Sequence, residues 1–463
     1  MRPVAVLNIV GLSPSLLGND APRLRDFARS SGGVRLLKPP LPAVTCTAQS
    51  SMLTGLDPCD HGIVGNGWFQ QELQEIQFWK QSNRLVSGEK VWETARREHV
   101  GKDFRCANLF WWFNMYSSAD IAVTPRPIYR ADGRKIPDCL SSPPELRDEL
   151  QAKLGRFPLF RFWGPGADIR STDWIAAAAM HTYERSKPTL TLVYLPHLDY
   201  PLQKLGPGHP EIHRHVREID RVFGALLDFF GNRGVRVLVV SEYGIVPTSS
   251  AVEPNRILRG AGLLAVREEL GGEHLDAGAS EAFAVCDHQI AHVHVRDKNR
   301  IEEVRALLAG QPGIEQVLDA EGQREQRIHH ARSGDLVLVS SADRWFAYPY
   351  WRDGHEPDFA RTVDIHRKPG YDPCELFIDP AIRFPKLAIA WRLFKRSLGM
   401  RTLLDVIPLD SRFVRGSHGR VEQQRGFEPL LFGEGLDHFD PPTHGPLVAM
   451  TSVREAILQA MRG

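Results

Sequence analysis

The run Pro42-Ala43-Val44-Thr45-Cys46-Thr47-Ala48-Gln49-Ser50-Ser51-Met52-Leu53-Thr54-Gly55, continued through Pro58 to His61-Gly62-Ile63-Val64-Gly65-Asn66, decides how the rest of the chain is read. A proline-bearing loop delivers Thr45, a helix of small polar residues follows, and Gly55 supplies the stop that helix C-termini commonly use. Thr45 is thereby placed just ahead of a helix N-terminus, where free N–H groups and the positive end of the dipole favour anions. Two readings fit that placement. Thr45 is an ordinary helix cap, or its hydroxyl attacks phosphorus once a base or metal takes its proton.

The 463 residues carry 24% charged side chains and a net charge of +1, so no global field points to nucleic acid or an acidic partner. The 33 prolines and 39 glycines indicate a loop-rich globular protein. The six cysteines are scattered without a C-x-x-C pair, which argues against a zinc knuckle or disulfide scaffold and makes a reducing cytoplasm the expected compartment. Val4 to Val10 reads as a buried strand rather than a signal peptide, because Gly11 and Pro14 break the run and no small-residue cleavage site follows. No apolar run approaches the roughly 20 residues of a membrane span.

Along the chain, 1–69 and 189–463 read as an α/β core with a largely parallel sheet. Residues 70–188, rich in aromatics from Trp79 to Trp174, read as an inserted cap over the strand ends. Asn66, Asn114 and Arg126 are the polar groups expected to line a pocket beneath it. The strand Thr189 to Leu195 runs into Asp199, and the strand Gly234 to Val240 runs into Glu242 and Tyr243. Carboxylates at the C-terminal ends of parallel strands converge on one crevice. His292 and His294 share a strand face and, with His288 and also His366, are either metal ligands or core histidines. Lys386 to Leu398 is a basic, Trp-bearing helix expected to pack an apolar face on the core and leave its basic face solvated, the alternative being contact with a membrane surface. Val414-Arg415-Gly416-Ser417-His418-Gly419 sets one histidine between glycines, which suits a side chain reaching into a site.

Taken in order, these blocks resemble the type I phosphodiesterase/nucleotide pyrophosphatase branch of the alkaline phosphatase superfamily. The P-x-x-T loop, T-G, P-x-x-H-G-I-x-x-N, the strand leading to Asp199 and Gly206-Pro207, S-x-x-G at Ser241 and Gly244, and the late G-x-H-G at His418 carry the resemblance. It implies an alkaline-phosphatase-like core, a nucleophilic Thr bridging two divalent metals (usually zinc) and a phosphorylated small-molecule substrate. Thr45 matches the nucleophile, Asp199 a metal-binding Asp and His418 the late metal-binding His. Gln203 stands at the position of a ligand His and Glu242-Tyr243 at that of an Asp-His pair. Val10 occupies the place of the first-strand Asp, and Ala48 replaces an oxyanion Asn. With imidazoles lost, the remaining oxygen-rich set of Asp199, Glu242, His418, Gln203 and Tyr243 suits manganese or magnesium as well as zinc.

The expected function is a metal-dependent hydrolase of a phosphodiester, pyrophosphate or phosphonate bond. The alternative is a descendant of weakened activity that binds a phosphorylated ligand or a protein partner.

Overall fold

The computed structural model describes residues 1–98, 103–131, 134–400, 402–421 and 424–462. A mixed, mostly parallel ten-stranded sheet is built around Val4–Ile9, all six of whose residues are buried. That strand pairs in parallel with Leu190–Leu195 on one side and Arg236–Val240 on the other, as continuous β-branched and aliphatic runs should. Cys106–Leu109 and Ile121–Pro125 continue the sheet in parallel, and antiparallel Cys139–Ser142 closes that edge. Towards the other edge lie Leu430–Gly433, Arg35–Lys38, Leu447–Ala449 and Thr443–His444. Residues 70–188, read as an insertion, thus contribute three of these strands and the helix Ile169–Ser186; their aromatic loops lie over the strand ends.

Helix Ile212–Gly231 presents Val216, Ile219, Phe223, Leu226 and Phe230 to the core at helical spacing, as the sequence indicates. A second, antiparallel sheet orders Ala282–Asp287, Ile290–Val295, Leu336–Ser340 and Ile314–Leu318 around its own apolar core. Its first hairpin turns at His288, whose φ of 59° is a left-handed conformation uncommon for a side chain of this size. The turn thereby carries Asp287 and His288 from the second sheet to the strand ends of the first.

One element departs from expectation. Helix Pro385–Ser397 does not bury its main apolar stripe: Leu387, Trp391, Phe394 and Leu398 are exposed, and Ile389 on the opposite side packs against the body of the protein.

Candidate active site

Helix Thr45–Thr54 is buried at all ten positions. A run of Thr and Ser has weak helix propensity, so packing must hold it, and its hydroxyls turn back onto the helix. Ser50 Oγ donates to the Cys46 carbonyl and Thr54 Oγ1 to the Ser50 carbonyl. The cap position is Val44, with Thr45 the first helical residue and no side-chain cap bond at this end. Thr45 is therefore not a capping threonine. Its Oγ1 lies 3.0 Å from the Tyr243 hydroxyl, which donates at 3.2 Å to Asp199 Oδ1.

Asp199 is held by more than Tyr243. Gln203, one turn along the same short helix, donates from Nε2 to Asp199 Oδ2 at 2.9 Å, and Tyr371 donates to Gln203 Oε1 at 2.7 Å. Burial raises the Asp199 carboxyl to about 7, opposed by the bonds from Gln203 and Tyr243. Burial also pushes the Tyr243 phenol well up, so it stays protonated.

Glu242 faces a different set of groups. Its Oε1 accepts from Asn8 Nδ2 and from Gln49 Nε2, both at 2.6 Å. Asn8 comes from the central strand and Gln49 from the threonine's own helix, so Glu242 ties that helix to the sheet. Burial raises the Glu242 carboxyl to about 8, opposed by those two amides and by the Thr45 hydroxyl.

His418 reaches in through the glycine-flanked turn. A Cβ at Gly416 would stand 2.3 Å from the Leu202 carbonyl oxygen, and one at Gly419 2.9 Å from Gln289 N, so both glycines are required by close backbone approach. The His418 Nδ1 is 2.8 Å from the Ala43 carbonyl, while Nε2 is buried without a hydrogen-bond partner and lies 3.9 Å from Asp199 Oδ1. Four rings stack in sequence. Tyr243 lies flat on His418 at 3.5 Å and 6°, His418 contacts His288 at 3.9 Å, and His288 lies on Tyr371 at 3.6 Å. Burial holds both imidazoles well below the usual histidine range, so both are neutral.

Asp287 pairs with His288 Nδ1 at 2.7 Å and accepts from the Asn66 backbone and side-chain amides. Asn66 Oδ1 in turn accepts from Cys46 N at 3.0 Å, inside the first turn of the Thr45 helix. Asn66 is thus a brace between that helix and the second sheet. Asn114 donates to the carbonyls of Asn108 and Val123, and Arg126 is exposed with Nη1 against Met115 Sδ. Neither lines the cavity. His292 bridges the Val64 carbonyl and Gly334 N, and His294 packs between Phe69 and Phe283. Both serve the second core, whereas His366 lines the cavity.

A cavity of about 160 Å³ opens over Thr45, Asp199 and Tyr243. Its walls are aromatic, with Trp79, Trp112, Trp163, Tyr200 and Tyr371 among them, and its one lysine, Lys135, is paired with Asp364 at 2.8 Å. Tyr371, His288 and Asn8 are site residues that the sequence did not single out for these roles. The one linear hint was Asn8, a polar residue inside an otherwise apolar central strand.

The two-metal arrangement of the family does not fit this donor set. Val10 offers no lone pair, both amide atoms of Gln203 are engaged, Glu242 Oε1 is held by two amides, and Tyr243 is a protonated phenol. Asp199, bonded through both oxygens, and His418 keep the family's residue types, and among these groups only His418 Nε2 and Glu242 Oε2 are buried without a hydrogen-bond partner, fewer than the three protein ligands of a catalytic zinc. Among the described residues, the one cluster of three donors at metal spacing is His197, His215 and Glu218, away from Thr45. There Arg214 lies 3.3 Å from His215 Nε2; donation to that atom leaves the proton on Nδ1, the atom an ion would need.

The type I phosphodiesterase/nucleotide pyrophosphatase family model matches residues 4–372. An uncharacterized pyrophosphatase/phosphodiesterase of Schizosaccharomyces pombe is 26% identical over 238 residues, which are 49% of this chain and 41% of that protein. The chain therefore matches less than half the length of that curated relative. Phosphonoacetate hydrolase of Sinorhizobium meliloti, solved with phosphonoformate, superposes with a TM-score of 0.61 at 17% identity over 99% of this chain and 96% of that one. Murine ectonucleotide pyrophosphatase/phosphodiesterase 5, solved with AMP, gives 0.59 at 13% identity over 100% and 95%. These likenesses show a shared alkaline-phosphatase-like fold, and with the family model they lead to one conclusion: the chain belongs to the type I phosphodiesterase/nucleotide pyrophosphatase family.

Proposed function

We propose that the chain hydrolyses a phosphodiester, pyrophosphate or phosphonate bond in a small molecule, with Thr45 Oγ1 as the nucleophile. The observation that carries this is the hydrogen-bonded path from Thr45 Oγ1 through the Tyr243 hydroxyl to Asp199 Oδ1, at the floor of the aromatic cavity. As Oγ1 bonds to phosphorus and the leaving group departs, the Thr45 proton passes to Tyr243 while Tyr243 gives its own to Asp199. The proton on Asp199 is then available to the leaving group. In the second half water attacks the phosphothreonine and gives a proton to Asp199. The relay then runs in reverse, Asp199 returning a proton to Tyr243 and Tyr243 giving its own to the departing Thr45 Oγ1, which restores Thr45. The positive end of the helix dipole at Thr45 favours the charge on the phosphoryl oxygens. The aromatic walls favour a flat, apolar leaving group. AMP and phosphonoformate, bound by the two structural neighbours, are small phosphorus-bearing anions of the class assigned here.

Hydrolysis of bis-p-nitrophenyl phosphate by wild type and Thr45→Ala, with and without added zinc, manganese or magnesium, tests the reading. A rate that Thr45→Ala abolishes supports it; equal rates for the two proteins overturn the nucleophile. The second reading, a binding protein, is favoured by Val10 at the place of a ligand Asp and by the amides of Asn8 and Gln49 on Glu242 Oε1. Calorimetric binding of AMP by a protein inactive under every metal condition would select it.

A further inference from the structure

Helix Pro385–Ser397 is attached to the protein the wrong way round for a soluble surface helix. Leu387, Trp391, Phe394 and Leu398 recur at spacings of four, three and four, which places them on one stripe, and Phe384 precedes them in line. They are 69%, 57%, 51%, 62% and 60% exposed, respectively for Leu387, Trp391, Phe394, Leu398 and Phe384. The opposite side makes the attachment: Ile389 packs against the cluster of Trp345, Val406 and Ile407, and Arg392 Nε donates to Asp405. A soluble helix buries its apolar stripe and exposes its charges. Here the fold is fixed so that the stripe faces outward.

Charge identifies what covers it. From Ala381 to Thr402 the chain carries Arg383, Lys386, Arg392, Lys395, Arg396 and Arg401, and no Asp or Glu. Lys395 Nζ lies 5.4 Å over the Trp391 ring, and Trp391 stacks on Phe394 at 5.7 Å, so an aromatic pair carries a cation at its edge. Aromatic rings with lysines beside them suit the boundary between acyl chains and headgroups, where the stems lie in apolar surroundings and the charges meet phosphate. A second copy of this chain would meet the face in an isologous pair and set these cations against their own likeness. We propose that this helix docks the protein on an anionic lipid surface, lying in the plane of the interface. No described helix is long and apolar enough to cross a membrane, so the contact is peripheral.

The docking face is tied to the cavity wall. Val363 lines the cavity and packs into the same apolar cluster as Ile389. The proposal does not depend on the hydrolytic reading, since it is measured by binding alone.

The full-length chain is cosedimented with vesicles of phosphatidylcholine and with vesicles of phosphatidylcholine mixed with phosphatidylglycerol. The expected result is at least a tenfold preference for the anionic vesicles, falling as salt is raised. Trp391→Glu with Phe394→Glu should lower that binding at least tenfold with an unchanged melting temperature, because both side chains are largely exposed. Lys386→Gln with Lys395→Gln should remove part of the anionic preference while leaving a folded protein. The proposal is overturned if folded wild type does not bind anionic vesicles at low salt, or if the double Glu variant binds as wild type does. Self-association that the double Glu variant abolishes, without vesicle binding, would assign the face to a second copy and equally overturn it.

Discussion

Asp199 and Glu242 begin as equivalents. Each follows the C-terminal end of a parallel strand beside Val4–Ile9, each is buried, and burial raises both, to about 7 and about 8. Their partners separate them. Asp199 Oδ1 meets a phenol that also touches the Thr45 hydroxyl and opens on the cavity. Glu242 also lies within reach of the Thr45 hydroxyl, but its Oε1 is held by two amides, one from the central strand and one from the threonine's helix, and it does not line the cavity. The same residue class at the same kind of strand end thus meets the phenol that touches Thr45 in one case, the placement on which the proposed proton transfer rests, and holds a helix in the other. Position in the sheet brings a carboxylate to the crevice; the hydrogen-bond donors around it decide its role.

The comparison can be broken or sharpened in order of effect. Thr45→Ala should lower hydrolysis of bis-p-nitrophenyl phosphate by about a thousandfold or more, since it removes the oxygen we propose as the nucleophile. Asp199→Asn should cost about a hundredfold or more in kcat, the usual range for losing a general base. It should also remove a limb of the pH profile. Asp199 accepts a proton only when ionised, so the wild-type rate should rise with pH and level off above about 7, and the Asn variant should lack that rise. Tyr243→Phe keeps the ring on His418 but cuts the path from Thr45, and a loss of about ten- to a hundredfold is expected, in kcat rather than KM.

Glu242→Gln should do least to the rate, within about threefold, and its signature lies in stability. A carboxyl raised on folding binds its proton more tightly in the folded state, so Glu242 makes the protein less stable as pH rises from its ordinary range of about 4.5 to about 8. The glutamine variant escapes that decline, and its melting temperature relative to wild type should improve between pH 5 and pH 8. A rate collapse in Glu242→Gln with little change in Asp199→Asn would reverse the assignment of the two carboxylates.

Much of this was legible in the sequence because it rests on local pattern. The apolar run at Val4–Ile9, the strands leading to Asp199 and Glu242, the Gly55 stop and the glycines around His418 each follow from period or backbone freedom. The pairing of Thr45 with Tyr243 was not legible. The family resemblance made Tyr243 a substituted metal ligand, and only the fold shows its hydroxyl between Thr45 and Asp199. Asn8, a polar residue within the apolar central strand, reaches Glu242 at the end of the neighbouring strand, a pairing that no spacing in the chain indicates. Tyr371 and His288 arrive from distant segments through a left-handed turn and a long loop, and no spacing in the chain relates them. The Pro385–Ser397 helix shows the converse. Its periodicity is visible in sequence, but the pattern does not say which way the apolar stripe points.

The stack of Tyr243, His418, His288 and Tyr371 has a spectroscopic consequence. The His418 imidazole lies between two rings at 3.5 and 3.9 Å, so its carbon-bound protons sit within the shielding cones of its neighbours' ring currents. Their NMR signals should fall well upfield of ordinary histidine positions and stay there across the neutral pH range, because the ring does not take up a proton. An anion settling against Thr45 and Tyr243 must tilt or slide the first ring of the stack, and the His418 resonances will move with it. The fold thereby carries its own reporter of ligand arrival, readable without turnover and without an added label.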